Sequence, residues 1–120
     1  MGVIFTMPGF KEALETAGLV LVGQVHTTSV INGGFANFRY MTSAKVADHV
    51  ASLRELVTAA QAAGALYINA HSGVDCWSVE QAREYLTEAL KIEKELGINI
   101  LHETHRRRIF WNPYNFRDII

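Results

Sequence analysis

The chain has 120 residues, 49% of them apolar and 19% charged, with a formal net charge of -1; that is enough apolar mass for one domain, 1–120, with its own core. The near-neutral charge, with Lys11, Lys45, Lys91 and Lys94 the only lysines, offers no global attraction for a polyanion and argues against a nucleic-acid partner. The single cysteine, Cys76, excludes an internal disulfide, the opening Met1 to Phe5 is too short for a signal peptide, and no apolar run approaches the length of a membrane span, so a cytoplasmic protein without membrane contact is expected.

In chain order, Gly2 to Thr6 predicts a short strand, and Pro8 suits the first turn of a helix that lines up Phe10, Ala13, Leu14 and Ala17 and stops at Gly18. Leu19 to Thr27 reads as a strand closing on Gln24-Val25-His26. The segment Thr28 to Thr42, with Gly33-Gly34 and the aromatics Phe35, Phe38 and Tyr40, reads as irregular: either a lid over the strand end or a plug of aromatics. Thr42 or Ser43 caps the next helix, where Val46, Val50, Leu53, Val57 and Ala60 recur at intervals of three and four and face a core; Gly64 ends it.

A second strand, Leu66 to Gly73, closes on Asn69-Ala70-His71-Ser72-Gly73. Cys76 follows without a partner to make it a nucleophile, and its neighbour Trp77 points to burial. Ser78 with Gln81 three residues on is a capping box. Its helix buries Ala82, Leu86 and Ala89, with Leu90 and Leu96 as further core contacts, shows Glu80, Arg83, Glu84, Glu88, Lys91 and Glu95 to water, and stops at Gly97. The last strand, Ile98 to His105, ends in a burst of ionisable groups and runs into Arg106-Arg107-Arg108. A loop from Ile109 to Tyr114 follows, with Asn115 as the cap of a short helix.

Strands alternating with helices predict a parallel α/β fold, whose working end is the carboxyl end of the strands. Side chains two apart in a strand share a face, so Gln24 and His26 point together, as do Asn69 and His71, and Leu101 and Glu103, while His102 faces the helices. Three neighbouring strands thereby deliver His26, His71 and Glu103 to one end of one sheet. His102 and His105 read as structural, and Asn112 and Trp111 stand near enough to reach a pocket there or simply to pack their loop.

The strings Gln24-Val25-His26-Thr27, Asn69-Ala70-His71-Ser72-Gly73 and His102-Glu103-Thr104-His105-Arg106, in this order, resemble the xylose isomerase-like TIM-barrel superfamily, especially its sugar-phosphate isomerase/epimerase branch. The resemblance implies parallel (β/α) units making about half a barrel, the second to fifth strands, and an enzyme of carbohydrate metabolism that moves a proton beside a sugar carbonyl at a divalent-metal site. It implies that Glu103 binds the metal and acts in proton transfer. It implies that His71 and His26 line the substrate pocket, or bind zinc as in the apurinic-site endonucleases of the same superfamily. Arg106 falls within the matching string, whereas Arg107 stands where a small residue such as glycine is expected. The family's remaining ligands come from its sixth to eighth strands, beyond what these 120 residues match, so the metal site is expected to be incomplete.

The residues support a parallel reading of the chemistry. A carboxylate with imidazoles suits Mn²⁺, Mg²⁺, Co²⁺ or Zn²⁺, which would stabilise an enediolate, with Glu103 as ligand, base or both. Arg106 would grip the anionic end of a small sugar-like substrate in two-pronged geometry; the alternative for Arg106, Arg107 and Arg108 is a solvated basic loop. Two other functions stay open, a zinc hydrolase of the endonuclease type and a truncated barrel without activity of its own. Four strands leave two sheet edges and an apolar inner face, which a second copy would cover by completing the barrel as a homodimer.

Overall fold

Glycine stops and apolar periodicity lay out an alternation of helices and strands. The computed structural model describes residues 8–28, 30–31, 40–41 and 43–120. Within these run α1 (Phe10–Thr16), β1 (Leu21–His26), β2 (Val30–Ile31), β3 (Tyr40–Met41), α2 (Val46–Ala62), β4 (Ala65–His71), α3 (Val79–Leu96), β5 (Ile100–His102) and α4 (Pro113–Ile119). The strand expected at Gly2 to Thr6, and Gly33, Gly34, Phe35 and Phe38 of the expected lid, lie outside the described residues. In that segment β2 and β3 pair as an antiparallel ribbon.

The main sheet is parallel, in the order β1-β4-β5. His26 stands opposite His71 and Ala70 opposite His102, while the Glu103 N–H donates to the Ala70 carbonyl at 2.9 Å. That register carries the three strand ends out on one side, as the alternation predicts. The fold is therefore α/β with a three-stranded parallel sheet.

Helices α2 and α3 pack against each other, and α2 packs on the sheet. The core between these layers takes Val25 from β1, Ile68 and Ala70 from β4, Ile100 from β5, Leu53, Val57 and Ala60 from α2, and Ala82, Tyr85, Ala89 and Ile92 from α3. Fully burying a side chain such as Leu53 or Ile68 contributes roughly 1.5–3 kcal/mol. Gly23 lies where α2 comes close to β1: a Cβ there would lie 2.6 Å from Ile68 Cδ1 and 3.0 Å from Ala60 Cβ, so a larger residue would force Ile68 and α2 to shift. The other face of the sheet carries Gln24, His26, Asn69, His71 and Glu103, with Val22 and Leu101 exposed among them. Among the described residues no helix is long and apolar enough to cross a membrane.

The local expectations that fail do so at element ends and on helix faces. Pro8 stands before the N-cap, Gly9, rather than in the first turn, and α1 buries none of its residues. The N-cap of α2 is Lys45, without a side-chain cap; Ser43 instead accepts from the Lys45 N–H and donates to Asp48 Oδ2 at 2.5 Å. The Ser78–Gln81 capping box forms as predicted, with both reciprocal bonds. On α3, Leu90 is 63% exposed and Leu86 and Leu96 only half-buried, whereas Tyr85 and Ile92 fill the core. The cap of α4 is Asn112, whose Oδ1 accepts from the Tyr114 and Asn115 N–H groups, so Asn115 lies inside the helix. Cys76 is exposed although Trp77 beside it is buried, where its indole N–H donates to the Ala44 carbonyl.

Candidate functional site

The strand alternation that buries Val25, Ala70 and Ile100 on the helix side puts polar groups on the other side at the carboxyl ends. Glu103 follows β5 with its side chain partly exposed, and its Oε2 accepts from His71 Nε2 at 2.8 Å and from Asn69 Nδ2 at 2.5 Å. Its Oε1 makes no hydrogen bond among the described residues. His71 is buried between two further imidazoles: His26 at 4.0 Å between ring centroids, and His105, stacked at 4.3 Å and 27°. His105 is held in place by its Nδ1, which donates to the Arg106 carbonyl at 2.8 Å. The three residues picked from the sequence, His26, His71 and Glu103, thus meet; Asn69 and His105 join them.

The electrostatics divide the roles. The hydrogen bond from Asn69 is the largest influence on Glu103, and with the bond from His71 and the fields of His71 and His105 it holds the carboxyl below its ordinary value, so Glu103 is ionised at neutral pH. His26 is lowered to about 4, first by burial, then by the neighbouring His71, Arg108 and His105 against the opposing pull of Glu103. An ionised carboxylate and a neutral imidazole therefore face the same space.

Arg108 is the member of the arginine run that turns inward. It is 5% exposed, and its Nη1 donates to the carbonyls of Thr27 and Gly73 at 3.1 and 3.0 Å, tying the end of β1 to the end of β4. Arg106 and Arg107 are exposed, whereas the solvated-loop reading fails for Arg108. Arg107 sits at φ 63°, the left-handed region that glycine occupies without strain, which is why a small residue suits this loop. Gly73 has φ 58° and faces Ile109 and Trp77, whose atoms would lie 2.5 Å from a Cβ.

Behind the sheet a second polar network fixes the strand ends. His49 is fully buried; its Nε2 donates to the Ser43 carbonyl at 2.8 Å, so its Nδ1 accepts from the Thr27 hydroxyl at 2.6 Å. Burial lowers its pKa, which suits this neutral tautomer. The apolar periodicity of α2 put Val50 on the buried stripe, but His49 takes that place and Val50 is only half-buried; a histidine there carries no apolar signal. Ser72 Oγ and His102 Nδ1 are bonded at 2.6 Å, a pairing that resembles a nucleophile with its base. Ser72 is 1% exposed and the pair lies on the helix side, so it serves packing, as predicted for His102.

A cleft of about 460 Å³ opens beside His105, lined by Arg106, Phe110, Trp111, Asn112 and Phe116. Trp111 and Asn112 both line this cleft, and Asn112 is also occupied as the cap of α4.

Among the described residues no three histidine, cysteine, aspartate or glutamate side chains are placed to hold an ion. The carboxylate oxygen nearest His71 is already engaged by two N–H donors. The arrangement is suited to proton transfer by the chain's own groups: a carboxylate oriented through one oxygen with the other open, next to a neutral imidazole. No family model matches the sequence, and comparisons with curated proteins and with solved structures find no match either.

Proposed function

We propose that this protein is an isomerase or epimerase that moves a proton beside the carbonyl of a small sugar-like hydroxycarbonyl compound, in the cytoplasm. The observation that carries the reading is the Glu103 carboxylate, held by Asn69 and His71 through Oε2 and open at Oε1, at the carboxyl end of a parallel sheet. Oε1 takes the proton from the carbon next to the carbonyl and returns it to the neighbouring carbon in isomerisation, while the hydroxyl proton passes from one substrate oxygen to the other; epimerisation requires a second acid on the opposite face. A neutral His26 donates an N–H to the enediolate oxygen, which a cationic imidazole would do at the risk of protonating it. Arg106, exposed on the loop beyond Glu103, holds an anionic end of the substrate.

The barrel belongs to this proposal as well. Sheet β1-β4-β5 corresponds to an arc whose inner face is the exposed one carrying His26, His71 and Glu103, and whose exposed Val22 and Leu101 are what further barrel strands or a second copy would cover. The hydrolase alternative needs a zinc cage, and among the described residues no three donors are placed for one.

Exchange of carbon-bound hydrogen with D₂O, followed by proton NMR on a panel of ketoses and aldoses, tests the proposal. Exchange into at least one sugar is expected, with Glu103→Gln slowing it by about 10²–10⁴-fold while the circular dichroism spectrum stays that of the parent. Full exchange in the Gln variant sinks the assignment. Dialysis against a chelator separates the two forms of the reaction: exchange that survives is the proton transfer described here, and exchange that returns only with Mn²⁺ restores the metal-dependent one.

A further inference from the structure

We propose that the cleft beside Glu103 binds the ring of a sugar acid, its face against Trp111 and its carboxylate on Arg106; this names the substrate class of the proton-transfer reading and rests on it. The cleft shares His105 with the Glu103 site: His105 lines the cleft and stacks on His71 at 4.3 Å. Its volume of about 460 Å³ exceeds what a three-carbon compound fills and falls in the range of small-molecule pockets. Three of its walls are aromatic: Phe110 is buried, while Trp111 and Phe116 are 51% and 42% exposed, an unusual outlay of ring surface to water for groups that gain by covering it. The C–H face of a pyranose covers such rings and leaves its hydroxyls in solvent.

The charge at the cleft selects the anion. Arg106 is exposed, lines the cleft and makes no ion pair among the described residues, so one guanidinium is offered to the ligand. A carboxylate matches it in charge and in two-pronged geometry. A phosphate dianion calls for a second cation or a row of N–H groups. The N–H groups of Tyr114 and Asn115 beside the cleft are already taken by Asn112 Oδ1, and Pro113 has none to give.

Calorimetric titration of the full chain with sodium D-glucuronate, D-glucose and D-glucose 6-phosphate tests this directly. Glucuronate is expected to bind at least tenfold tighter than glucose and tighter than the phosphate. Arg106→Lys and Trp111→Ala should each weaken glucuronate tenfold or more, Trp111→Phe should stay within threefold of the parent, and Glu103→Gln should still bind. Equal affinity for glucuronate and glucose, tighter binding of glucose 6-phosphate, no glucuronate binding, or an unweakened Arg106→Lys overturns the proposal. Because the readout is heat and not turnover, lost binding with sugar exchange retained removes only the sugar-acid assignment. Binding without exchange removes only the proton-transfer reading.

Discussion

At Glu103 the hydrogen bonds from Asn69 and His71 and the nearby His105 act on one carboxylate, and the sign of their combined effect sets a pH profile. Its pKa lies below the ordinary 4.5 and that of His26 at about 4, so both groups hold their working forms, ionised and neutral, throughout the neutral range. The rate of carbon-hydrogen exchange should therefore be flat between about pH 6 and 8 and fall only in acid, as protons reach the carboxylate and the imidazole. An acid limb centred near an ordinary histidine value would show that His26 is not the neutral donor. Arg107 offers a separate test on the same loop. A side chain held at φ 63° is strained, so Arg107→Gly should raise stability by roughly 0.5–1 kcal/mol, less whatever flexibility glycine adds to the unfolded chain. Chemical denaturation of the two proteins measures it, and a clearly less stable variant would contradict the strain.

Helices α2 and α3 show how a face is chosen. The apolar positions of α3 number more than one face can bury, and the packing against α2 decides between them: Tyr85 and Ile92 go in, and Leu90 stays in water. Leu53→Ala on α2 should cost about 2–5 kcal/mol, since Leu53 is fully buried in a close-packed layer. Leu90→Ala should stay within about 0.5 kcal/mol. Urea titrations of the pair decide the matter, and similar losses in both would mean that α3 is rotated from the orientation described. The strand ends follow the same logic with polar partners. Thr27, Ser72, His49 and Arg108 tie β1, β4 and the loops beyond them into one frame, and the carboxylate site on the opposite face inherits its alignment from that frame.

For the molecule as a whole, buried histidines link stability to pH. His102 is lowered to about 4 by burial alone, His49 is lowered by burial, and His26 to about 4. In the unfolded chain each takes a proton near 6.5, while the folded state resists it, so the unfolded state binds more protons between these values. Stability is then full above about pH 6.5 and declines as the pH drops toward 4. His102 alone contributes on the order of 3 kcal/mol over that window at about 1.4 kcal/mol per unit; His26, half in water, contributes less. Urea unfolding at pH 7 and pH 4.5 should show this fall, and equal stability at the two values would remove the three histidines from the account.

The sequence by itself determined the alternation of β1, α2, β4, α3 and β5, the parallel pairing and the side on which His26, His71 and Glu103 emerge, because each rests on a local period: two along a strand, between three and four along a helix, and glycine where a helix must stop; the β2–β3 ribbon, in a segment that reads as irregular, it did not. It also determined the capping box at Ser78 and Gln81, whose partners are three residues apart. Which of three adjacent arginines turns inward, which leucines of α3 stay in water, which asparagine caps α4 and that Cys76 points outward were decided by the tertiary structure. In each of these the choice belongs to a partner distant in sequence: the carbonyls of Thr27 and Gly73 for Arg108, the face of α2 for Tyr85 and Ile92. Asn69 lay in plain view two residues before His71, yet its bond to Glu103 spans 34 positions of chain and exists only once β4 and β5 lie side by side.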